Sequence, residues 1–210
     1  MSQSTIVLLG AGGHARACID VLEVQALFRV AGLLGLAPQV GSSVLGYPVL
    51  GTDADLPGLR REHAHALIAV GQIKTPEHRM RLFELALAHG FTLPVIVSPR
   101  AHVSRHASLA AGTIVMHGAV VNAGAVVGRN CILNSLCLVE HDAVIDDHCH
   151  IATAAAVNSG VHVAAGSFVG SNSCVRQGTR IGERCVIGMG QRVLKDCAAG
   201  THLPARKARP

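Results

Sequence analysis

The sequence predicts an α/β domain over residues 1–98, followed over residues 99–210 by a three-sided coil of stacked repeats. Two patterns lead to this division. Apolar runs alternate with helical spacing in the first hundred residues, and a strict period of six governs the rest. Aromatic residues make up only 2% of the chain, so its core must be built from Val, Leu, Ile and Ala. Such a composition favours stacked coils and α/β sheets over a sandwich filled with aromatic rings.

The α/β domain is predicted from apolar runs that are separated by helical patterns. The candidate strands are Thr5–Leu9, Phe28–Leu34, Ala66–Val70 and Leu93–Val97. A glycine-rich turn, Gly10–His14, follows the first run, and Thr75-Pro76 supplies the N-cap and first-turn proline of a later helix that Gly90 ends. Strand, glycine-rich turn, helix and strand form a βαβ unit, so we expect a small, open, Rossmann-like parallel sheet.

The second half of the chain repeats every six residues. From Val103 to Val193 every sixth residue is Val, Leu or Ile, sixteen in succession, whereas a helical stripe recurs every three to four residues. The fifth residue of a repeat is nearly always small, and the fourth is often Gly, Asn or Asp, which tolerate a left-handed turn. We expect coils of eighteen residues whose branched side chains point inward. Four of the seven cysteines occupy the small inward position.

Charge and cysteine content limit the function classes. The net charge is +5, but the basic residues are scattered, apart from Arg206, Lys207 and Arg209 in the tail. This pattern suits a phosphorylated small molecule and does not indicate nucleic acid. Seven cysteines without a C-x-x-C pair predict reduced thiols and a cytoplasmic protein. No segment has the length and apolarity that target a membrane.

Four segments carry a resemblance to a known family. They are Gly10–His14, the segment around Asn134, Val139–Asp142 and Gly170–Ser173. Together with the hexapeptide repeats they resemble the left-handed parallel β-helix acyltransferases. Within these, they are similar to the bacterial sialic acid O-acetyltransferases and the UDP-4-amino-sugar N-acetyltransferases. The resemblance implies a left-handed parallel β-helix, a homotrimer, acetyl-CoA between adjacent β-helices, and a nucleotide sugar held against the glycine turn.

His141 is the candidate general base. As the third residue of its repeat it points away from the aliphatic column, and a neutral imidazole can accept a proton from an attacking amine or hydroxyl. Asp142 and Glu140 flank it, and either can orient the imidazole; the resemblance favours Asp142. Ser159 lies one coil later, so a backbone N–H near Ser159 and Gly160 is expected close enough to bind an oxyanion.

The resemblance, the stacking of the coils and the small and basic residues of the last coils lead us to expect two sets of binding residues. The substrate set is Gly10, Gly12, Gly13, His14 and Gly71. The acetyl-CoA set is His150, Asn134, Ser159, Gly160, Gly170, Ser171, Gly188 and Arg206. No metal is expected, because carbonic anhydrases with this β-helix bind zinc through a histidine pair five residues apart, and no such pair occurs here. The remaining repeat histidines, including His117 and His148, are expected on corners or outer faces without a role.

The glycine turn also fits a dinucleotide-binding pattern, G-x-G-x-x-A. The next strand should then end in an acidic residue for the ribose, but Gly35-Leu36 stands there. An NAD site is therefore disfavoured, and recognition of uridine stays open, since the resembling family usually carries an Asp pair at this place. A turn that binds no ligand is the alternative.

Three functions follow from these observations. The first is acetyl-CoA-dependent N-acetylation of an amino sugar, linked in our hypothesis to UDP. The second is O-acetylation of a sialic-acid-like sugar, with the same base and donor. The third is a trimeric ligand-binding protein without turnover, against which the intact Glu140-His141-Asp142 step argues.

Overall fold

The computed structural model describes residues 3–205. The strands of its N-terminal domain are β1 Ser4–Leu9, β2 Phe28–Leu34, β3 Ser43–Val44, β4 Tyr47–Gly51 and β5 His65–Ile68. The helices are α1 Gly13–Gln25, α2 Leu56–Glu62 and α3 Glu77–Ala88. The sheet order is β3-β4-β2-β1-β5, and all neighbours are parallel except β3 and β4. This is the predicted small, open α/β sheet.

Strand β1 lies inside this sheet because both of its sides are apolar. Ile6 and Leu8 belong to the same buried cluster as Cys18 of α1, whereas Val7 packs in the cluster of Phe83 from α3. An uninterrupted apolar run is typical of a parallel strand that is covered on both faces. The carboxyl ends of β1 and β2 and the N-terminus of α1 therefore meet at one edge, where open α/β sheets bind ligands.

The rest of the chain forms eighteen two-residue strands, β6 to β23, in three parallel sheets that we call the first, second and third faces. The first face contains Ile96–Val97, Ile114–Val115, Ile132–Leu133, His150–Ile151, Phe168–Val169, Val186–Ile187 and His202–Leu203. The second contains His102–Val103, Val120–Val121, Leu138–Val139, Ala156–Val157, Cys174–Val175 and Arg192–Val193. The third contains Ser108–Leu109, Val126–Val127, Val144–Ile145, His162–Val163 and Arg180–Ile181.

The coil has the predicted period. Leu138 pairs with Ala156, eighteen residues later. The branched residues form one continuous buried column. The fourth residue of the repeats adopts the left-handed conformation at glycines and also at Asn130, Asp142 and His148, where φ is 55°, 59° and 60°. The period-six pattern therefore specified both the inward column and the corners of this left-handed parallel β-helix.

The α/β domain covers the first face of the β-helix. Ile114 and Ile132, which point outward from that face, lie in the same buried cluster as Cys18 of α1. At the C-terminal end of α1, the side-chain Nε2 of Gln25 donates a hydrogen bond to the carbonyl of Val97 at 3.1 Å. Apolar burial and a specific hydrogen bond thus join the two domains.

His117 lies at the edge of the same contact. Its Nε2 is 2.8 Å from Asp20 of α1, and its Nδ1 is 2.6 Å from the Ser98 hydroxyl. The connectivity resembles a hydrolase triad, but Ser98 is buried and its hydroxyl also accepts a hydrogen bond from the N–H of Arg100. This group therefore joins the domains, a role that the sequence did not indicate for His117.

Some elements differ from the sequence predictions. Leu93–Val97 is not the last strand of the α/β sheet, because Ile96–Val97 pairs with Ile114–Val115 as the first strand of the β-helix. Strands β3 and β4 and helix α2 were not predicted, since glycines and prolines interrupt every apolar run between residues 41 and 58. None of the helices within residues 3–205 is long and apolar enough to cross a membrane.

Candidate active site

The corner between the second and third faces carries the predicted base. His141 follows the strand Leu138–Val139, and its side chain is 58% exposed. Its Nδ1 lies 2.9 Å from Oδ2 of Asp142. Because a carboxylate can only accept, Nδ1 holds the proton of the neutral ring and Nε2 keeps a free lone pair. The imidazole therefore has the tautomer that a general base requires.

The two acidic neighbours of His141 have different contacts. Asp142 occupies the left-handed corner of the repeat and contacts the imidazole itself. Glu140 accepts a hydrogen bond from the backbone N–H of His141 at 3.0 Å. That bond, followed by one from the side chain of Asn122, lowers the pKa of Glu140. Asp142 thus orients the ring, whereas Glu140 fixes the backbone that carries it.

An open groove of about 450 Å³ surrounds the imidazole, and its lining includes Ser159, Gly160 and Gln177. The next coil therefore stands beside His141 as the repeat arithmetic predicts. The N–H of Gly160 donates to the carbonyl of His141 at 3.1 Å, so it is engaged in the coil ladder. Of the two backbone N–H groups expected to bind an oxyanion, the one of Ser159 remains.

A second groove, of about 630 Å³, continues along the same corner and shares Gln177 with the first. Its lining residues are Asn158, Cys174, Arg176, Gln177, Arg192 and Leu194. The sequence prediction did not include the two arginines. The repeat could have indicated Arg176, because this residue is two coils after Glu140 at the same position of the corner.

The α/β domain contains a separate pocket of about 420 Å³ at the carboxyl ends of β1 and β2. The glycine turn, the residues after β2 and β4, and the first turns of α3 line it. Of the predicted substrate residues, Gly10 and Gly12 are part of this lining. The position agrees with the place where open α/β sheets bind nucleotides.

Glycine is present at the positions of this turn for different physical reasons. Gly10 has φ 122°, and a Cβ there would lie 3.0 Å from the backbone of Ala69, so the turn itself requires glycine. A Cβ at Gly12 or Gly13 would meet nothing within 4 Å. Gly12 is also the N-cap of α1 and supplies no side-chain cap. The first N–H groups of α1 therefore have open space beside them, as in helix N-termini that bind phosphate.

Gly35-Leu36 leaves the pocket without an acidic residue after β2, as the sequence shows. Gln39 lies there instead, with its Oε1 accepting from the N–H of Leu36 and its Nε2 donating to the carbonyl of Ala11. Among the described residues, the carboxylate that lines the pocket is Asp53, which follows β4 and pairs with Arg81 of α3 at 2.7 Å. The sequence missed this pair because β4 itself was not predicted.

His14, Gly13 and Gly71 lie beside this pocket and not on its lining. A Cβ at Gly71 would lie 3.7 Å from the Cβ of His14, so the two residues are in contact. Burial, and then the positive charge of Arg79, lowers the pKa of His14 to about 3. Its Nε2 has no hydrogen-bond partner among residues 3–205. His14 is therefore a neutral side chain in the domain contact.

His150 and Asn134, both assigned to acetyl-CoA by resemblance, lie on or beside the covered first face. His150 is 6% exposed, and its Nδ1 donates to the carbonyl of Gln72 at 2.6 Å. Its Nε2 accepts from the side-chain amide of Asn134 at 3.2 Å. Burial lowers the pKa of His150 to about 4, so the ring is neutral and both nitrogens are engaged.

The other predicted acetyl-CoA residues lie in the last coils. A Cβ at Gly170 would lie 2.6 Å from the carbonyl oxygen of Ile187, and Gly188 is equally close to the backbone that follows Leu203. The stacking of successive coils therefore requires these two glycines. Ser171 is half-buried at the same corner. Arg206 lies outside the described residues.

The groove at His141 and the α/β pocket have no lining residue in common. Within residues 3–205 no group of three or more His, Cys, Asp and Glu side chains is placed to hold a metal ion. One chain thus contains the candidate base at one place and a nucleotide-sized pocket at another.

Comparisons with known proteins identify the family. Residues 5–84 match the family model of the PglD N-terminal domain. A histidine-to-asparagine variant of perosamine N-acetyltransferase from Caulobacter crescentus, in complex with CoA and GDP-perosamine, is 32% identical; the match covers 96% of this chain and 93% of that chain, with a TM-score of 0.90. The acetyltransferase domain of PglB from Neisseria gonorrhoeae FA1090, in complex with acetyl coenzyme A, is 31% identical over all of both chains, with a TM-score of 0.89. The chain belongs to the hexapeptide-repeat bacterial sugar acetyltransferases.

WeeI from Acinetobacter baumannii AYE shares the fold of this acetyltransferase, with a TM-score of 0.80, 20% identity, and coverage of 98% of this chain and 99% of that one. A search of curated proteins found no match. Family membership confirms the predicted fold and the predicted class of enzyme.

Proposed function

We propose that this acetyltransferase moves the acetyl group of acetyl-CoA to the amine of a nucleotide-linked amino sugar, with His141 as general base. The observation that carries the proposal is the His141–Asp142 contact of 2.9 Å in an open groove: the carboxylate binds Nδ1, so the neutral form of this exposed imidazole has Nε2 as its proton acceptor. The solved structures with CoA, acetyl coenzyme A and GDP-perosamine support the donor and the acceptor class.

The reaction needs one proton acceptor and one oxyanion donor. The amine nitrogen attacks the thioester carbonyl, and Nε2 of His141 takes the proton that the nitrogen loses. The N–H of Ser159 is the proposed donor to the oxyanion of the tetrahedral intermediate. When the C–S bond breaks, the new amide and CoA are released, and the proton passes from the imidazolium to the leaving sulfur.

The pocket of the α/β domain is the proposed acceptor site. The uncapped N-terminus of α1 and the open space at Gly12 suit a diphosphate. Asp53 and Arg81 suit the rest of a nucleotide, because an exposed ion pair is weak enough to be exchanged for ligand contacts. In this proposal Asp53 takes the place of the acidic residue that is absent after β2. The identity of the nucleoside is determined by the binding test.

The donor site is proposed along the corner that begins at His141. The second groove continues toward the last coils, where Arg176 and Arg192 can pair with phosphate oxygens. The separation of the acceptor pocket from His141 supports a homotrimer in which the pocket of one subunit serves the groove of another. Exposed apolar side chains such as Val126 and Leu136 are 48% and 65% accessible and would be covered in such an assembly.

O-acetylation of a sialic-acid-like sugar is the second candidate, and the absence of an acidic residue after β2 favours it. A single assay separates the two candidates. Thiol release from acetyl-CoA is measured against GDP- and UDP-linked amino sugars and free sialic acids, and the product is analysed by mass spectrometry. We expect release with a nucleotide-linked amino sugar. Release with sialic acid alone would replace the proposal, and no release with any acceptor would reject it.

A further inference from the structure

Arg79 of α3 is a buried cation at the point where three parts of the chain meet. The residue is only 1% exposed. Its Nη1 donates to the carbonyls of Ile68 and Val70 at 2.7 and 2.9 Å, at the carboxyl end of β5. Its Nε donates to the carbonyl of Asn130, on a corner of the β-helix, at 3.2 Å. One guanidinium therefore joins α3, the end of β5 and the β-helix.

Among the described residues, no carboxylate compensates this charge. The ion pairs among residues 3–205 do not include Arg79. Burial lowers the pKa of Arg79 to about 10, so the side chain is still a cation at neutral pH. Its Nη2 has no partner among the described residues. A buried charge is costly, and apolar side chains of similar volume often stabilise a core as well or better. Stability alone therefore gives no reason for an arginine here.

The hydrogen bonds continue from Arg79 to the first face of the β-helix. The side-chain amide of Asn130 donates to the backbone carbonyl of Arg79 and to Nδ1 of His148. Gln72 donates to the carbonyl of His148 at 2.9 Å and accepts from Nδ1 of His150. Gln72 thus holds the loop after β5 against the β-helix, and Arg79 joins the beginning of that loop to Asn130 of the β-helix.

The groups that Arg79 fixes also shape the acceptor pocket. Val70, whose carbonyl it binds, lines that pocket. His78, Arg81 and Leu82, from the same helix as Arg79, line it as well. A change in the spacing between the end of β5 and α3 would therefore move two walls of the pocket relative to each other.

We propose that Arg79 is a positioning residue for the acceptor: its bonds to Ile68, Val70 and Asn130 set the end of β5 and helix α3 at the spacing that a nucleoside diphosphate needs. The proposal rests on the proposed function for the identity of the ligand. The geometry that it assigns to Arg79 does not depend on that ligand. Arg79 has no contact with the groove at His141, so the donor site should be independent of it.

Binding measurements on the full chain test this assignment. The variants are Arg79→Met and Arg79→Lys, with Arg60→Met as the matched control, because Arg60 also donates to a backbone carbonyl, that of Gly90, away from the pocket. The probes are GDP, UDP and CoA, titrated by calorimetry. We expect Arg79→Met to weaken the nucleoside diphosphate at least tenfold and CoA less than twofold. Arg79→Lys should give an intermediate loss, and Arg60→Met should bind like the parent. In turnover, Arg79→Met should raise the KM for the acceptor and leave kcat within about threefold.

Three outcomes overturn the proposal. Unchanged nucleotide binding by Arg79→Met would do so, and so would equal losses for nucleotide and CoA, which would indicate a general structural defect. If Arg79→Met does not fold, the same two criteria apply to Arg79→Lys. The third outcome is that Asn130→Gly, which keeps the carbonyl acceptor and the left-handed corner, weakens the nucleotide as much as Arg79→Lys.

Amide exchange keeps this test separate from the proposed function. If the parent binds neither GDP nor UDP, the nucleotide-linked acceptor is rejected. The geometry assigned to Arg79 is then tested by amide exchange at the end of β5. The N–H of Ala69 donates to the carbonyl of Leu9, and the N–H of Gly10 donates to that of Leu34 on the other side of β1. We expect Arg79→Met to accelerate exchange at Ala69 at least tenfold and to leave Gly10 unchanged. Equal exchange at Ala69 in parent and variant would reject the assigned geometry.

Discussion

Two regions of the β-helix present a histidine in opposite environments. His141 stands on an open corner with its side chain 58% exposed, whereas His150, nine residues later, lies under the α/β domain and is 6% exposed. The Nδ1 of His141 is bound by a carboxylate, and its Nε2 has no hydrogen-bond partner among residues 3–205. Both nitrogens of His150 are engaged, and burial lowers its pKa to about 4. The same coil thus makes one histidine available for proton transfer and the other a fixed neutral link.

This difference shows what a repeat can and cannot specify. The period of six determines whether a side chain points toward the column or away from it. It does not determine whether an outward side chain meets solvent or another domain. An outward histidine is chemically available only where its face is uncovered.

The largest effect is expected for His141. If Nε2 takes the amine proton, His141→Ala should lower kcat by about 10²–10⁴-fold, the usual contribution of a general base. Thermal stability should hardly change, because the side chain is exposed. Steady-state kinetics measure kcat, and thermal unfolding measures the stability of the parent and the variant.

His150→Ala is the matched control for that experiment. It should cost less in kcat than His141→Ala and more in stability, because it leaves the carbonyl of Gln72 buried without its donor. A trimeric His141→Ala protein that binds acetyl-CoA and turns over at the parental rate would refute the assignment of the base.

The residues of the exposed corner at His141 could be predicted from the sequence, whereas the contacts of the buried region at His150 and Arg79 could not. His141, Asp142 and Ser159 follow from the period of six, the Glu-His-Asp step and a shift of one coil. The contact of His150 with Gln72 could not be derived, because it depends on which face the α/β domain covers. Arg79 gave no signal for the same reason: its position in α3 matches that of an ordinary surface arginine until the packing partners are known.

The second prediction concerns stability in acid. His150 has a folded pKa of about 4 against about 6.5 for an unfolded histidine, so the unfolded state binds more protons between these values. The contribution of His150 to stability should therefore be constant above about pH 6.5 and fall by roughly 1 kcal/mol per pH unit down to about pH 4. His14, with a pKa of about 3, should add a similar decline. Urea unfolding between pH 7 and 4 measures the slope.

The variant His150→Gln should show a shallower decline than the parent, since it has no group to protonate at this position. Identical slopes in His150→Gln and the parent would mean that the covered face does not hold a neutral histidine.

A smaller effect distinguishes the two carboxylates beside His141. Asp142→Asn should lower kcat about tenfold, because one charge-assisted hydrogen bond to the imidazole is lost while the base remains. Glu140→Gln should cost less, since Glu140 accepts from the backbone N–H of His141 and does not contact the imidazole. The comparison is made at saturating donor and acceptor. A larger loss for Glu140→Gln would transfer the orienting role to Glu140.

The smallest effect is expected in the second groove, at the far end of the exposed corner. It tests whether the donor site extends from His141 into this groove. Arg176→Met and Arg192→Met should each raise the KM for acetyl-CoA by about three- to tenfold with kcat unchanged, because a phosphate contact that is exposed to solvent contributes equally to substrate and transition state. Arg180→Met, on the exposed third face, is the control and should behave like the parent. Alkylation of Cys174 gives a readout without turnover, since this exposed thiol lines the same groove as the two arginines, and CoA should slow its modification. If CoA protects Cys174 in the parent but a KM change appears in neither arginine variant, then the donor lies in this groove and its phosphates are held elsewhere. The next variant to make would then be a truncation of residues 204–210, which removes the basic tail with Arg206.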